Sequence, residues 1–199
     1  MVRVSETELI AGAIANRVVS FPTDTVPALA VKPESADLIY QLKQRSRNKP
    51  LILLGASIKD LLPYLSYTPS ELAIWQKLIG QHLPGALTLV LPASTLVPAA
   101  INATDANTVG IRIPDSAIAL KILKQTGVLA TTSANLSGQD PLRTMQAIDT
   151  AFPEVLALES PDLLPNSITG SGLPSTVVRW QDKTWQVLRQ GSITLNQQN

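Results

Sequence analysis

The chain has 199 residues, of which 45% are hydrophobic and 16% charged, and its formal net charge is +1. This composition allows one domain with a substantial core and excludes a disordered chain, while the small net charge gives no global case for nucleic-acid binding. The sequence has no cysteine and a single histidine, His82, which excludes disulfides, thiolate nucleophiles, cysteine-based zinc sites and most histidine-rich metal sites.

The N-terminal residues lack a secretory pattern, because Glu6 and Glu8 stand directly before the first apolar run. No apolar stretch approaches the ~20 residues that a transmembrane helix needs. We therefore expect a soluble, cytoplasmic protein without membrane contact.

Helices and strands alternate along the first half of the chain. A capping box, Ser5 and Glu8, opens a predicted helix in "SETELIAGAIAN". A second strong helix is predicted in "TPSELAIWQKLIG", where Thr68 caps, Pro69 is the first helical residue and Glu71 completes the box. Between them, apolar runs predict strands at "RVVSF", "PALAV" and "LILLG" and a helix at "ADLIYQLKQ".

The second half continues the alternation. Strands are predicted at "ALTLVLPA", "TVGIRIP" and "GVLATT", and helices at "SAIALKILKQT", capped by Asp115, and "TMQAID". The runs "PSTVVRW" and "TWQVLRQ", joined by "QDK", predict a hairpin, and residues 163–175 predict a long loop. The pattern indicates a single α/β (α+β) domain with a twisted mixed parallel and antiparallel sheet flanked by helices.

Four cations alternate in "KQRSRNKP": Lys43, Arg45, Arg47 and Lys49. They would share one face of an extended segment and would scatter around a helix. A basic connection after a helix is commonly a solvated loop, and cations suit a helix C-terminus. The alternative is an anion site, since arginine offers a bidentate fork to phosphate or carboxylate and lysine a mobile point charge.

Three further segments could bind a ligand. "TTSANLSG", residues 131–138, follows a predicted strand and could cradle a phosphate or simply form a turn. Thr23, Asp24 and Thr25 also follow a strand and could bind a polar substrate, although Asp24 could equally cap a turn. Arg112, between two isoleucines, is either solvent-facing or an anion ligand in a pocket, and the first is commoner.

Other motifs are absent. The sequence has no Walker-type loop and no glycine-rich dinucleotide fingerprint. His82 lies in the loop-like "GQHLPG" without a nearby serine motif, which favours a structural role over a catalytic triad. The chemistry that remains depends on positioned cations, as in transfer at a phosphate or carboxylate.

Seven motifs occur in the order found in the YrdC family, over about residues 6–193. They are "PTDTV", "KQRSRNKPL", "LPGALTLVL", "GIRIPD", "TSANLSG", "GLPSTVV" and "LRQG". The resemblance implies a YrdC-like fold with a large concave cavity. We expect one such domain over residues 1–199, without the additional C-terminal domain of the longer family members. The resemblance further implies formation of threonylcarbamoyl-AMP from L-threonine, bicarbonate and ATP, the last expected with Mg²⁺, for modification of tRNA adenosine.

The resemblance also implies roles for individual residues. Lys43 and Arg45 would be catalytic and face the ATP phosphates, with Lys49 beside them. The other predicted nucleotide ligands are Ser133, Asn135 and Arg189. The predicted threonine ligands are Thr23, Thr25, Arg112 and Ser175, with Arg112 suited to the carboxylate. No protein metal site is expected.

The sequence departs from the family pattern at four positions. Pro27 and Ala28 replace an aromatic residue and a glycine, Ser46 replaces a proline, and Arg179 replaces an acid after "STVV". These changes resemble divergent YciO-type paralogues. They support an alternative hypothesis, a tRNA-binding or double-stranded-RNA-binding protein with weak or no synthase activity, for which Arg47 is a candidate contact.

Overall fold

Ten strands form one sheet in the computed structural model, which describes residues 3–161, 163 and 166–195. The strands are β1 Arg3–Val4, β2 Val19–Phe21, β3 Ala28–Val31, β4 Ile52–Leu54, β5 Leu87–Pro92, β6 Thr108–Arg112, β7 Leu129–Ser133, β8 Leu156–Leu158, β9 Thr176–Gln181 and β10 Thr184–Arg189. The helices are α1 Glu6–Ile14, α2 Asp37–Lys43, α3 Ile58–Leu61, α4 Pro69–His82, α5 Ala117–Thr126 and α6 Met145–Ala151, with 3₁₀ turns at Pro33–Ser35 and Leu62–Tyr64.

The sheet is mixed, as predicted. Its spatial order is β1-β8-β2-β3-β7-β4-β6-β5-β9-β10. Strands β1/β8, β2/β8, β4/β6 and β5/β9 pair in parallel, and the remaining neighbours pair antiparallel. The predicted hairpin is β9–β10, whereas β1, β8 and α3 were not predicted. These three elements have only two to four residues, too few to show a clear period.

The helix caps explain where the helices begin. The Ser5–Glu8 and Thr68–Glu71 boxes are both formed, with Glu8 and Glu71 accepting hydrogen bonds from the cap residues' backbone N–H groups at 2.9 Å. The prediction that Asp115 caps α5 was wrong. The cap residue is Ser116, whose Oγ accepts a hydrogen bond from the Ala119 N–H at 3.3 Å. His82 ends α4 instead of lying in a loop, so that prediction was also wrong.

Two apolar clusters cover the sheet. One joins β4, β5, β6 and β9 to α2 and α4, and Trp75 and Trp180 meet edge-on in it with ring centroids 6.3 Å apart. The other joins β2, β3 and β8 to α1, α5 and α6. No helix among residues 3–161, 163 and 166–195 is long and apolar enough to cross a membrane.

The alternation of strand residues positions the site. In β5, Leu87, Leu89 and Leu91 are fully buried in the first cluster, while Thr88 and Val90 face a cavity on the other side. The neighbouring strands β6 and β9 follow the same period of two, so this part of the sheet has one face packed in the first apolar cluster and a more polar concave face.

Candidate functional site

The concave face of the sheet encloses a cavity of about 740 Å³, within the usual range for small-molecule sites. Residues paired across neighbouring strands form the floor of the cavity. From β9 to β7 they are Arg179, Val90, Gly110, Ile52 and Thr131, each paired with the next. A Cβ on Gly110 would come within 2.8 Å of the Ile52 side chain, so a larger residue at this position would clash with the floor of the cavity. The predicted concave cavity is therefore present.

The cavity lining is strongly cationic. Its basic side chains are Arg45, Lys49, Arg112, Arg179 and Arg189, and Asp105 carries its one carboxylate among the described residues. A chain with a net charge of +1 thus concentrates positive charge in one concave place, which raises the local concentration of anions.

Lys43 is held beside the strand end that carries Ser133. It is the last residue of α2, only 1% exposed, and its Nζ donates to the Ser133 carbonyl at 2.5 Å and to Asn135 Oδ1 at 2.9 Å. The Ser133 hydroxyl also donates to Asn135 Oδ1, at 2.6 Å. Lys43 therefore meets two other predicted nucleotide ligands, Ser133 and Asn135, that lie about 90 residues further along the chain. Burial, followed by the charges of Arg45 and Lys49, lowers the pKa of Lys43 to about 7.

The basic stretch after Lys43 is neither extended nor helical. The chain turns at Gln44, where φ is 48°, and Arg45 then donates to the Lys49 carbonyl at 3.0 Å and to the Pro50 carbonyl at 3.1 Å. Arg45 and Lys49 line the cavity. Neither they nor Arg189 have a carboxylate within ion-pair distance among the described residues.

Arg47 leaves this group. Its guanidinium pairs with Asp37 at 2.8 Å and lies 5.4 Å from the centre of the Tyr40 ring, on the surface. The four alternating cations therefore separate. Arg45 and Lys49 line the cavity, Lys43 is buried beside the lining residues Ser133 and Asn135, and Arg47 is neutralised outside the cavity.

Arg112 is buried and fully engaged, so the solvent-facing alternative was wrong. It is 5% exposed, and its Nη2 donates to Asp24 at 2.6 Å, its Nη1 to Thr25 Oγ1 at 2.7 Å and its Nε to the Gly85 carbonyl at 2.9 Å. Thr23 completes the group, with its hydroxyl 3.1 Å from that of Thr25. Asp24, which could have capped a turn, offsets the charge of Arg112.

Ser175 and Arg189 meet at the β9 side of the cavity. The Arg189 Nη2 donates to the Ser175 carbonyl at 2.8 Å, and the Ser175 hydroxyl lies 2.8 Å from that of Thr88. Burial, and then the nearby charge of Arg112, lowers the pKa of Arg189. Gly191, two residues after Arg189, packs closely against the chain before Ser175: a Cβ at this position would come within 2.3 Å of the Pro174 carbonyl oxygen.

The described part of the predicted long loop, residues 163–175, packs against residues 23–25. The Ser171 N–H donates to the Asp24 carbonyl and the Gly172 N–H to the Thr25 carbonyl, both at 2.9 Å. Gly170 has φ +68°, and a Cβ there would lie 2.3 Å from the Thr25 carbonyl oxygen. Glycines in this loop thus signal a close backbone approach.

Sequence reasoning missed several cavity residues. Asp105 pairs with Arg179 at 2.7 Å, and both line the cavity. Asp105 follows the polar stretch "INAT", which carries no recognisable motif, so nothing in the sequence singled it out. Of the other unusual positions, Pro27 and Ala28 line the cavity, while Ser46 is exposed and its hydroxyl accepts from the Asn48 N–H at 3.3 Å.

The described residues contain no group of three or more histidine or acidic side chains suited to hold a metal ion. Besides apolar side chains, the cavity lining contains several cations and hydroxyls, a chemistry that fits an anionic ligand.

The family model for Sua5, YciO and YrdC proteins, described as "Telomere recombination", matches residues 14–191. The chain belongs to this family. The expected family membership is therefore confirmed.

Two synthases and one solved structure are similar to the chain. A threonylcarbamoyl-AMP synthase of Hydrogenovibrio crunogenus is 33% identical over 181 residues, covering 86% of this chain and 90% of that protein. One from Bacillus subtilis is 32% identical over 186 residues, covering 92% of this chain, which spans 52% of that protein's length. The crystal structure of P. abyssi Sua5 complexed with L-threonine superposes with a TM-score of 0.81 at 30% identity, covering 95% of this chain and 55% of that one.

Proposed function

We propose that the protein binds ATP in the cationic cavity and forms an acyl-adenylate, with L-threonine and bicarbonate as the other substrates. The observation that carries this proposal is a set of cations that have no carboxylate partner among the described residues. Arg45, Lys49 and Arg189 line the cavity, and Lys43 donates to Asn135, which also lines it. Unpaired cations in a concave, partly desolvated place match a ligand with several negative charges, such as a nucleotide triphosphate.

The chemistry needs charge stabilisation more than a base. The free amine of L-threonine and bicarbonate would give a carbamate and release water. A carbamate oxygen then attacks the α-phosphate of ATP while the bond from that phosphate to pyrophosphate breaks. The attacking carbamate is already anionic, so no proton has to be removed from it. Two anions must be brought together, and Lys43 and Arg45 would screen them. Mg²⁺ would arrive with the nucleotide as part of the substrate.

The other residues would hold the substrates in place. Ser133 and Asn135, connected to Lys43, would bind the nucleotide, and Arg189 would approach it from the β9 side. Thr23, Thr25 and Ser175 would offer hydroxyls to the amino acid. Support for threonine comes from the relatives named as threonylcarbamoyl-AMP synthases and from the P. abyssi structure that was solved with L-threonine.

The test is calorimetric titration with ATP and then with L-threonine, together with a pyrophosphate-release assay with and without bicarbonate. Binding of both ligands and bicarbonate-dependent release support the proposal. ATP binding without threonine binding would indicate a paralogue of the YciO type with a different second substrate. Binding of neither would refute the proposal.

The RNA-binding alternative stays a prediction. Its candidate contact, Arg47, is neutralised by Asp37, which does not favour a phosphate contact at that position. Titration with tRNA and double-stranded RNA at increasing salt concentrations would test it, because phosphate-dominated binding weakens steeply with salt.

A further inference from the structure

Residues 166–174 form a loop at the border of the cavity that contributes no buried apolar side chain. Only Thr169 is buried among these residues, whereas Ile168 and Leu173 are 67% and 58% exposed. Pro174, at the end of the loop, lines the cavity. Since few apolar contacts hold a loop of this kind, its position depends on its hydrogen bonds.

On the cavity side, these hydrogen bonds join the loop to two partners of the buried Arg112. The Ser171 N–H donates to the Asp24 carbonyl and the Gly172 N–H to the Thr25 carbonyl, both at 2.9 Å. The side chains of Asp24 and Thr25 in turn accept from Arg112. The loop therefore fixes the backbone that carries the Thr25 hydroxyl, one of the predicted threonine ligands.

Arg143 holds the same loop from the other side. Its Nη2 donates to the Gly170 carbonyl at 3.0 Å, and its own carbonyl accepts from the Thr169 N–H at 3.0 Å and the Thr169 hydroxyl at 3.2 Å. Its guanidinium lies against Gly172, where φ is +82° and a Cβ would come within 2.6 Å of Cζ, 2.8 Å of Nη1 and 2.9 Å of Nη2. These similar distances place Gly172 over the face of the guanidinium.

Arginine suits this position by its shape rather than by its charge. Arg143 has no carboxylate within ion-pair distance in the part of the chain that the structure describes, and it does not line the cavity. A planar guanidinium can lie flat against the backbone of Gly172 and donate to Gly170 at the same time. A lysine ammonium offers a donor but no flat surface.

The segment that carries Arg143 begins at the predicted nucleotide ligands. The N–H of Leu142, the residue before Arg143, donates to the Ala134 carbonyl at 2.8 Å, and Ala134 lies between Ser133 and Asn135. Arg143 is thus anchored to the end of β7, and through it the loop has a fixed position relative to that strand end.

We propose that Arg143 is a positioning residue for the amino-acid substrate, which holds residues 169–172 against Asp24 and Thr25 and thereby keeps the Thr25 hydroxyl in place. This inference rests on the proposed function, because it concerns the second substrate of that reaction. Arg143 acts through the loop and does not touch the substrate. Its loss should therefore weaken amino-acid binding and leave nucleotide binding nearly unchanged.

The first experiment titrates L-threonine and ATP separately into the wild-type protein, Arg143→Met and Arg143→Lys, with Arg47→Met as a charge-matched control outside the cavity. We expect Arg143→Met to weaken L-threonine binding about tenfold, since small displacements of binding groups are costly. ATP affinity should change by less than about twofold, as for sites without shared partners. Arg143→Lys should recover part of the loss, and Arg47→Met should change neither affinity.

A second measurement reports on the loop itself. Thermolysin cleaves before large apolar residues, and Ile168 and Leu173 are exposed in the loop. Arg143→Met should speed cleavage at these two sites, because the loop opens more often, and L-threonine should slow it in the wild type. A role in overall stability would instead speed cleavage throughout the chain and weaken both ligands together.

A double-mutant cycle tests the contact between Arg143 and Gly172. Gly172→Ala places a methyl group against the guanidinium and should weaken L-threonine binding. The same substitution should cost less in the Arg143→Met background, where the guanidinium is absent, while the strain from the positive φ is the same in both backgrounds. Additive losses would overturn the contact as the cause.

The outcomes separate this inference from the proposed function. The inference is overturned if Arg143→Met leaves L-threonine affinity unchanged, weakens L-threonine and ATP equally, or does not speed cleavage in the loop. Any of these results with bicarbonate-dependent pyrophosphate release by the wild type leaves the proposed function standing. Arg143-dependent binding of L-threonine without pyrophosphate release would refute only the proposed function, and a wild type that does not bind L-threonine would overturn both.

Discussion

Two buried cations, Arg112 and Lys43, have different surroundings. Arg112 has a carboxylate, Asp24, at 2.6 Å, whereas Lys43 has only the Ser133 carbonyl and neutral oxygens such as Asn135 Oδ1 around its Nζ. One charge is already offset within the protein, and the other is not. The comparison separates a cation whose charge is offset by a carboxylate of the protein from one whose charge an anionic ligand could offset.

The residue types fit this division. Arginine stays protonated in proteins, so a buried arginine requires an acidic partner or a strong set of acceptors. Lysine can shift its pKa, and burial together with Arg45 and Lys49 lowers that of Lys43 to about 7. Lys43 can therefore be buried without a carboxylate before a ligand binds, and an anionic ligand would favour its charged form.

The largest effect is expected from breaking the Arg112–Asp24 pair. Arg112→Met and Asp24→Asn should each lower the free energy of unfolding by about 3–5 kcal/mol, because each leaves an uncompensated buried group. Urea unfolding of the single variants and of the double variant measures the loss and the coupling between the two residues. If each single variant loses less than about 1 kcal/mol of unfolding free energy, the range of a surface ion pair, the Arg112–Asp24 pair does not hold the fold together.

Lys43→Met should act on the ligand rather than on the fold. We expect ATP affinity to fall at least about tenfold, because a charge-assisted contact is lost. The free energy of unfolding should change by less than about 2 kcal/mol, since the lost hydrogen bonds and the relieved desolvation of the amine oppose each other. Calorimetry with ATP and urea unfolding provide the two measurements.

The control for Lys43→Met is Arg47→Gln, which removes a positive charge four residues away that already pairs with Asp37. Its ATP affinity should stay within about twofold of the wild type, as expected for an exposed pair. Equal losses of affinity in the two variants would mean that only the overall charge of the segment matters.

A smaller loss of stability is expected from changes in the loop that packs against Thr25, a partner of Arg112. Gly170→Ala should destabilise the protein, because its Cβ would lie 2.3 Å from the Thr25 carbonyl oxygen and φ is +68°. Gly138→Ala is a matched control, since Gly138 has φ +86° but nothing within 4 Å of its Cβ position. Both should carry the strain of about 1–2 kcal/mol from a left-handed residue. Gly170→Ala should lose more, and equal unfolding free energies would argue against the steric contact.

Much of the fold could be predicted from local patterns. The capping boxes at Ser5 and Thr68 and the period-two runs at 87–92 and 176–181 define elements by themselves, so these helices and strands were predicted. Short elements such as β1 and β8 could not be, because pairing with neighbouring strands, not their own pattern, makes them strands.

The site shows the same division. The "KQRSRNKP" and "TTSANLSG" segments carry recognisable chemistry, and the fold joins Lys43 to Asn135. The partners of the arginines could not be read from the sequence, because Asp24 lies 88 residues from Arg112 and Asp105 lies 74 from Arg179. Ion pairs of such sequence separation depend on strand register, which single-residue patterns do not encode.

The finest test concerns the proton on Lys43. With a pKa near 7, this amine is largely neutral at pH 8 in the free protein, and ATP phosphates should raise its pKa. ATP binding should therefore take up close to one proton at pH 8 and little at pH 6, and the affinity should fall as pH rises above 7. Calorimetry in buffers of different ionisation enthalpy measures the uptake. Lys43→Met provides the baseline for protons exchanged by ATP itself, and the same uptake in that variant would show that Lys43 is not the group that titrates.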